Sequence, residues 1–272
     1  MTPQFIGYWC GYRTNGTPTQ LSQVIKEIHT VPLAFSGITA ESTLSTDYLC
    51  TNFSAETLQT WAKILQGQGQ QVLLTLIDNA NIHWNDIDLK KFAGSCKDVG
   101  LRDWGLDGFD IDAESPALST LATFIPILRA TVGKDVPISF TGYTGEGVEL
   151  EVLEQVKDSI DWVQTMAYWE DSTQMKALAK VYADVVGKER VALGVKVGET
   201  PLNECRKLAK WTKKEGYRGI MLWSADMDNS TYTGLKDWSW ADAVLKGFNI
   251  PTGNELLSWS VDEAARKHAG FG

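Results

Sequence analysis

The sequence alternates from end to end between short apolar runs and longer amphipathic stretches, and this alternation is the feature that most constrains its fold. The apolar runs predict eight strands, at Phe5–Trp9, Val31–Phe35, Gln71–Ile77, Leu106–Asp112, Val136–Phe140, Trp162–Ala167, Val191–Val195 and Gly219–Trp223. The amphipathic stretches predict eight helices, at Leu21–Ile28, Ala55–Gln66, Leu89–Val99, Pro116–Val132, Val148–Val156, Thr173–Val186, Pro201–Glu215 and Leu235–Leu245. Continuous apolar strands separated by helices indicate a parallel sheet covered on its outer face.

Eight strand–helix repeats favour a closed (β/α)₈ TIM barrel over an open doubly wound sheet, and 272 residues is a usual length for one such barrel. No glycine-rich phosphate-binding motif follows the first strand, which weakens a nucleotide-binding alternative. No low-complexity linker interrupts the chain. We therefore predict one α/β domain over residues 1–272, with residues 251–272 as a tail that packs on the barrel or frays.

Composition excludes several classes of partner. The net charge is −9 and no run of lysine and arginine is present, so a phosphate backbone would be repelled and nucleic acid is not expected. No stretch approaches the roughly 18 apolar residues of a membrane span. The first residues also lack a signal-peptide pattern. We expect a secreted monomer whose signal is absent from this chain, with a cytoplasmic location as the alternative.

The cysteines and histidines do not indicate a metal site. Cys10, Cys50, Cys96 and Cys205 are widely separated with no CxxC pair, and the three histidines are scattered. We therefore expect no metal and no other cofactor. Four cysteines permit disulfides without requiring them, and a bridge between Cys10 and Cys50 is one alternative, since both follow early predicted strands.

The segment with the clearest chemistry is Gly105–Glu114, which reads GLDGFDIDAE. Side chains alternate faces along a strand, so Asp110, Asp112 and Glu114 share one face, which points into the barrel. Three inward carboxylates raise one another's pKa, so that at least one holds a proton near neutral pH. Glu114 comes last, nearest the mouth where barrel enzymes have their active sites, and is predicted to donate that proton to a leaving group.

This segment resembles the DGxDxDxE signature of family 18 glycoside hydrolases, which include chitinases and endo-β-N-acetylglucosaminidases. The similarity extends to Ile6–Trp9 in the first strand, Ala34-Phe35 in the second, Met166–Tyr168 in the sixth and Gly219–Ser224 in the eighth. Asp107 differs in parity from the other acids and is predicted to make structural hydrogen bonds. Asp226 and Asp228 are predicted to be loop residues and not catalysts.

Two departures from the family pattern affect the expected substrate contacts. The family's Ser-x-Gly-Gly element on the third strand is replaced by the sequence from Leu74 to Asn79. The Asp or Asn that usually follows the sixth-strand Tyr is Trp169 here.

The resemblance implies a retaining, substrate-assisted mechanism, which is an exception to the two-carboxylate scheme. It implies that Glu114 protonates the glycosidic oxygen while the sugar's own 2-acetamido group attacks the anomeric carbon. Asp112 would orient the acetamide, Asp110 would modulate Asp112, and Tyr168 would hydrogen-bond the acetamide oxygen. The predicted substrate-binding residues are Trp223, Tyr8, Phe35, Met166 and Trp169.

Three functions remain open on the sequence. The first is a chitinase that cuts β-1,4-linked N-acetylglucosamine chains. The second is an endo-β-N-acetylglucosaminidase that acts on N-glycans. The third is a non-catalytic chitin-binding, glycan-binding or inhibitor protein, which the presence of Glu114 disfavours. The stretch from Val195 to Gly219 holds only one helix, without the α+β module found there in many chitinases of the family, so an open groove is expected.

Overall fold

The structure, a computed structural model, describes residues 2–12, 18–78 and 81–251. Eight parallel strands close into a barrel, because the first strand pairs with both the second and the last. They are β1 Gln4–Gly7, β2 Thr30–Ile38, β4 Gln71–Leu76, β5 Gly108–Asp112, β6 Ile138–Gly142, β7 Trp162–Thr165, β8 Val191–Lys196 and β9 Gly219–Trp223. A two-residue strand, β3 Leu44–Ser45, pairs antiparallel with the end of β2. The predicted TIM barrel is confirmed.

The helices surround this barrel. They are α1 Ala55–Gly67, α2 Leu89–Ser95, α3 Leu121–Val132, α4 Gly147–Val156, α5 Ser172–Val186, α6 Leu202–Glu215, α7 Ser230–Thr233 and α8 Ser239–Gly247. A π-helical segment, Cys96–Asp103, continues directly from α2. Between β8 and β9 the chain forms the single helix α6, in keeping with the short connection in the sequence.

The first predicted helix, Leu21–Ile28, is wrong. Only Leu21–Gln23 is helical, as one 3₁₀ turn, and Val24 that follows it is extended. The segment contains the β-branched residues Val24, Ile25 and Ile28, which lower its helix propensity.

The registers of β4, β5 and β6 place polar side chains beside the acids of β5. Asp110 pairs with Thr75 on one side and Ser139 on the other, and Asp112 pairs with Thr141. Because all eight strands run parallel, their carboxyl ends meet at one mouth of the barrel. The residues that follow each strand therefore collect there.

The opposite face of β5 packs against the helical layer, as the alternation predicts. Phe109 is fully buried, and a Cβ atom on Gly100 would lie 2.8 Å from its ring. The absence of a side chain at Gly100 thus allows the π-helical segment to approach the barrel. Asp107, with the odd parity, accepts hydrogen bonds from the Val72 amide at 2.7 Å and the Gln66 side chain at 3.1 Å, so its predicted structural role is confirmed.

All four cysteines are unbridged, and the Cys10–Cys50 disulfide considered from the sequence is not formed. Among residues 2–12, 18–78 and 81–251, no helix is both long and apolar enough to cross a bilayer. Of the predicted tail at 251–272, residues 252–272 lie outside the described residues.

Candidate active site

Asp110 occupies the centre of a buried hydrogen-bond network inside the barrel. One carboxylate oxygen accepts from the Tyr8 hydroxyl at 2.6 Å. The other accepts from the hydroxyls of Ser139 at 2.6 Å and Thr141 at 2.8 Å, and from the side-chain amide of Gln164 at 3.0 Å. Burial raises the pKa of Asp110, and these donors oppose that rise because they stabilise the carboxylate.

Asp112 lies one step nearer the mouth and is also buried. Its Oδ1 accepts a hydrogen bond from the Glu114 amide at 3.2 Å. Burial raises the pKa of Asp112 well above its usual range, and the charges of Glu114 and Asp110 raise it further. Asp112 is therefore poised to hold a proton, or to favour a cationic group placed beside it.

Glu114 follows the end of β5 and is solvent-exposed at the mouth. Partial desolvation raises the pKa of its carboxyl, and the nearby charge of Glu149 adds to the effect. A carboxyl group with a raised pKa keeps its proton to higher pH and can act as a general acid. The three acids thus lie on one inward face with Glu114 outermost, in the order predicted from the alternation.

Glu149 was not singled out from the sequence. It is buried at the start of α4, where its carboxylate accepts hydrogen bonds from the amides of Tyr143 at 2.9 Å, Thr144 at 3.0 Å and Gly145 at 3.0 Å, and from the Tyr182 hydroxyl. This side chain fixes the loop that follows β6 and faces Glu114 with a negative charge. A glutamate in the first turn of a helix was the only signal in the sequence.

A cavity of about 40 Å³ lies at the end of β5 and is lined by Asp112 and Glu114 together with most of the predicted binding residues. The other lining residues are Tyr8, Phe35, Thr141, Met166, Tyr168, Met221 and Trp223. The Trp223 ring lies 5.2 Å from the Tyr8 ring and 5.7 Å from the Phe35 ring, measured between centroids. These contacts give the cavity an aromatic wall suited to the apolar face of a sugar ring.

Trp169 is the one predicted binding residue that does not line this cavity. It is 57% exposed, and its ring centroid lies 5.2 Å from that of Tyr168. Lys196, at the end of β8, holds its ammonium group 3.6 Å from the Trp169 ring centroid. Trp169 is therefore an exposed aromatic ring at the rim of the mouth, held against Lys196 and Tyr168.

A second cavity, of about 680 Å³, adjoins the first and shares Phe35 with it. It runs along the end of β2 beside β3, and Tyr48, which is 52% exposed, and Asp78 lie in its wall. The small cavity at the mouth thus continues into a much larger groove. Among residues 2–12, 18–78 and 81–251, no group of three or more His, Cys, Asp or Glu side chains is arranged to hold a metal ion.

Sequence reasoning missed Ser139, Thr141 and Gln164, which hold Asp110. Each is a polar residue inside a fully buried strand, and Ser139 and Thr141 share the two-residue spacing of the acids on β5. That pattern would have indicated a polar interior to the barrel, but their contact with Asp110 depends on strand register, which the sequence does not reveal directly.

Comparisons with known proteins agree with this geometry. A sequence model of the TIM-barrel domain of the endo-β-N-acetylglucosaminidase EndoS matches residues 8–247. No curated protein matches the sequence.

Solved structures share the fold at low sequence identity. A Streptomyces coelicolor protein described as chitinase A is 18% identical with a TM-score of 0.73, and the match covers 91% of this chain and 99% of that one. A family 18 chitinase from Pseudoalteromonas aurantia is 21% identical with a TM-score of 0.69, over 90% and 99% of the two chains. One from Chromobacterium violaceum is 17% identical with a TM-score of 0.68, over 92% and 84%.

Proposed function

This chain belongs to the family of the EndoS TIM-barrel domain, a glycoside hydrolase barrel of the family 18 type, and from that premise we propose that it hydrolyses β-1,4 bonds in chitin or chito-oligosaccharides. The observation that carries the proposal is the row Asp110, Asp112 and Glu114, which leads from the barrel interior to the aromatic cavity at the mouth. Glycosidic oxygens need a proton donor as they leave, and Glu114 is the exposed, raised-pKa acid of that row.

The mechanism we propose is substrate-assisted. A sugar ring in the cavity stacks on Trp223, and Glu114 protonates the glycosidic oxygen as the bond to the anomeric carbon breaks. The carbonyl oxygen of the sugar's 2-acetamido group attacks that carbon and forms an oxazolinium ion. Water then attacks with Glu114 as the base, which restores the acetamide and gives retention of configuration.

The neighbouring residues orient the acetamide in this scheme. Asp112 lines the cavity beside Glu114, and its carboxyl stabilises the positive charge that develops on the acetamide nitrogen. Asp110, with four hydrogen-bond donors around it, sets the proton affinity of Asp112 from below. Tyr168, also in the cavity wall, donates its hydroxyl to the acetamide oxygen.

The positions of the other predicted binding residues suggest two further kinds of contact with the substrate. Phe35, Tyr8 and Met166 supply apolar contact to the sugar in the cavity, and Phe35 also begins the larger groove. Trp169 offers an exposed ring to a sugar beyond the cleavage point. The chain works as a monomer on a glycan, without nucleic acid or a membrane as partner.

The second candidate is an endo-β-N-acetylglucosaminidase acting on N-glycans. It is favoured by the match of residues 8–247 to the EndoS domain and by the groove of about 680 Å³ at the mouth, which offers room for a bulky glycan. The two candidates share the chemistry described above and differ in what occupies the groove. A non-catalytic glycan-binding role is disfavoured because Glu114 is present at the outer end of the row, where burial raises the pKa of its carboxyl.

Paired assays distinguish the candidates. The protein is incubated with a fluorogenic chitotrioside and, separately, with a glycoprotein carrying N-glycans, and released fluorophore and released glycan are measured. We expect turnover of the chitotrioside; release of glycan alone would favour the second candidate. Cleavage of neither substrate, together with retained binding to chitin, would favour the non-catalytic binding protein. The Glu114→Gln variant is the matched control in both assays.

A further inference from the structure

Asp78 is a buried acid at the barrel mouth that the proposed chemistry does not use. It lies two residues after β4 and is 7% exposed. Its Oδ2 accepts a hydrogen bond from the Ser115 hydroxyl at 2.5 Å and lies 3.0 Å from Nδ1 of His83. Burying a carboxylate is costly unless it is paired and hydrogen-bonded, so these two contacts define its environment.

Ser115 connects Asp78 to the turn that follows the proton donor. Its hydroxyl donates to Asp78 and accepts a hydrogen bond from the Ala117 amide at 2.9 Å. Both the donor and an acceptor position of the hydroxyl are therefore occupied, which fixes the side chain and the backbone that carries it. Ser115 is the residue directly after Glu114, so this anchor lies one peptide bond from the acid.

Glu114 is held from both sides through its backbone. Its own amide donates to Asp112, and the next residue is tied to Asp78. Within the described part of the chain, no protein hydrogen bond holds the Glu114 carboxylate itself. The direction of that carboxylate therefore depends on the backbone before and after it.

We propose that Asp78 is a positioning residue for Glu114: through Ser115, it fixes the turn that aims the Glu114 carboxyl at the glycosidic oxygen. This inference rests on the proposed function. The segment that supplies Asp78 is the one that departs from the Ser-x-Gly-Gly pattern of the family. The sequence that replaces the Ser-x-Gly-Gly element therefore places a hydrogen-bond acceptor, the Asp78 carboxylate, at the mouth.

Asp78 also has an electrostatic effect on the acids of β5. Its negative charge contributes to the raised pKa of Asp112. The titratable groups around Asp78 are His83, in direct contact, and Asp112, with Asp110 and Glu114 beyond Asp112. Removal of the Asp78 charge is therefore expected to lower the pKa of Asp112.

A double-mutant cycle tests the positioning. Ser115→Ala and Asp78→Ala each remove the hydrogen bond between these two side chains. Each variant is expected to lower kcat about tenfold and to change KM less than twofold, because misplacement of a catalytic group affects the reacting geometry more than substrate binding. The double variant is expected to be no slower than either single variant, because the two residues act as one unit. Ser115→Thr keeps a hydroxyl and is expected to restore most of the rate.

Asp78→Asn separates the charge from the hydrogen bond. The amide oxygen can still accept from Ser115, so kcat at the optimum is expected to stay within about threefold of the wild type. The acidic limb of the pH–rate profile is expected to move to lower pH. Carbon-13 NMR titration of the Asp112 carboxyl measures the same displacement without turnover.

Asp88→Ala is the matched control for a merely structural effect. Asp88 lies in the same connection between β4 and α2 and caps α2 by accepting from the Lys90 and Lys91 amides at 3.0 Å each. This variant is expected to lower the unfolding temperature and leave kcat and the pH profile unchanged.

The outcomes separate this inference from the proposed function. Additive losses in the cycle, or an unchanged kcat in Ser115→Ala with only a lower unfolding temperature, would overturn the positioning role. A wild-type protein that cleaves no N-acetylglucosamine substrate would instead overturn the proposed function. In that case the NMR titration still tests the electrostatic part of the inference. If the pKa of Asp112 is the same in Asp78→Asn as in the wild type, Asp78 is not coupled to the acids of β5.

Discussion

The hydroxyl of Tyr8, the residue directly after β1, donates a hydrogen bond of 2.6 Å to Asp110 Oδ2 on β5 and lies 2.8 Å from the Thr141 hydroxyl on β6. Tyr8 is buried, and its ring also packs edge-on against Trp223 at the mouth. One residue thus links the innermost acid of the row to the aromatic wall of the cavity. Burial and the Asp110 charge raise the pKa of Tyr8 well above its usual range, so it remains a donor at all working pH values.

Tyr8→Phe removes that donor and is expected to raise the pKa of Asp110, because the hydrogen bond stabilises its ionised form. If turnover requires the carboxylate, the acidic limb of the pH–rate profile moves to higher pH. The buried acceptor left behind is expected to cost about 1–3 kcal/mol in the free energy of unfolding. Urea unfolding and pH–rate profiles measure the two effects. A variant with wild-type stability and an unmoved acidic limb would show that the contact is dispensable.

Glu114→Gln keeps the size of the side chain and removes its proton. We expect turnover to fall on the order of 10²-fold or more while sugar binding survives, because Gln cannot act as a general acid. Steady-state kinetics on the chitotrioside and calorimetric titration with chito-oligosaccharide measure the two quantities. Near-normal turnover would refute the assignment of Glu114 as the proton donor.

The two inner acids, Asp110 and Asp112, differ in their contacts, and this difference predicts which substitution lowers kcat more. Asp112 lines the cavity, whereas Asp110 is enclosed by protein donors. Asp112→Asn is therefore expected to be the more damaging change in kcat, and Asp110→Asn to reduce kcat less while displacing the acidic limb. Because the two groups interact, the limb reports the pair and not one residue. If Asp112→Asn leaves both the rate and the pH profile unchanged, the inner acids are structural.

An acetamide-dependent mechanism makes a prediction about ligands. A thiazoline analogue of N-acetylglucosamine resembles the cyclic intermediate and is expected to inhibit more strongly than the sugar itself. Partially deacetylated polymer is expected to be cut only where the sugar in the cavity keeps its acetyl group, which mass spectrometry of the products measures. Efficient cleavage of fully deacetylated chitosan or of cellulose would contradict the participation of the acetamide.

The sequence predicted the barrel and the row of acids because both depend on local alternation. Strand periodicity alone places Asp110, Asp112 and Glu114 on one face, and the apolar neighbour Phe109 on the other. The partners of Asp110 could not be predicted in this way, since they come from β6, from β7 and from the residue directly after β1, and the closed barrel sets their positions relative to β5. Ser115 and Asp78 were missed for the same reason: residues 37 positions apart meet only because β4 and β5 are neighbours.

The predicted helix at Leu21–Ile28 and the acids after β9 are two places where the sequence pattern did not predict the local structure or the burial. Eight residues with apolar spacing form only a 3₁₀ turn, because three of them are β-branched and lower the helix propensity. Asp226 and Asp228 lie in the connection between β9 and α7, as predicted, but both are buried, in and beside the 3₁₀ turn Ala225–Met227. Nothing in the local sequence marks these acids as buried, because their partners are distant in the chain: Asp226 accepts a hydrogen bond from the Gly11 amide and Asp228 from the Ala241 amide.

Asp228 gives a prediction for stability against pH. It is buried, and its Oδ2 accepts a hydrogen bond from the Ala241 amide at 2.8 Å, in the first turn of α8. Burial raises the pKa of Asp228 to about 6, although backbone donors oppose the rise. Its value in the unfolded chain is about 3.9.

The sign of the effect follows from which state binds the proton. Between about pH 4 and pH 6 the folded state binds a proton at Asp228 and the unfolded state does not, so this group stabilises the protein as the pH falls through that window. Above pH 6 the folded protein carries a buried carboxylate. The contribution across the window is on the order of 3 kcal/mol.

Asp228→Asn keeps the acceptor for Ala241 and cannot ionise, so it is expected to lose this dependence. Other groups titrate equally in both proteins, and the difference in the free energy of unfolding between variant and wild type isolates Asp228. That difference is expected to shift in favour of the variant by up to about 3 kcal/mol from pH 4 to pH 8. Urea unfolding at several pH values measures it. A difference that stays constant across this range would mean that Asp228 has the same pKa in the folded and unfolded chains, and that the donors around α8 fully offset its burial.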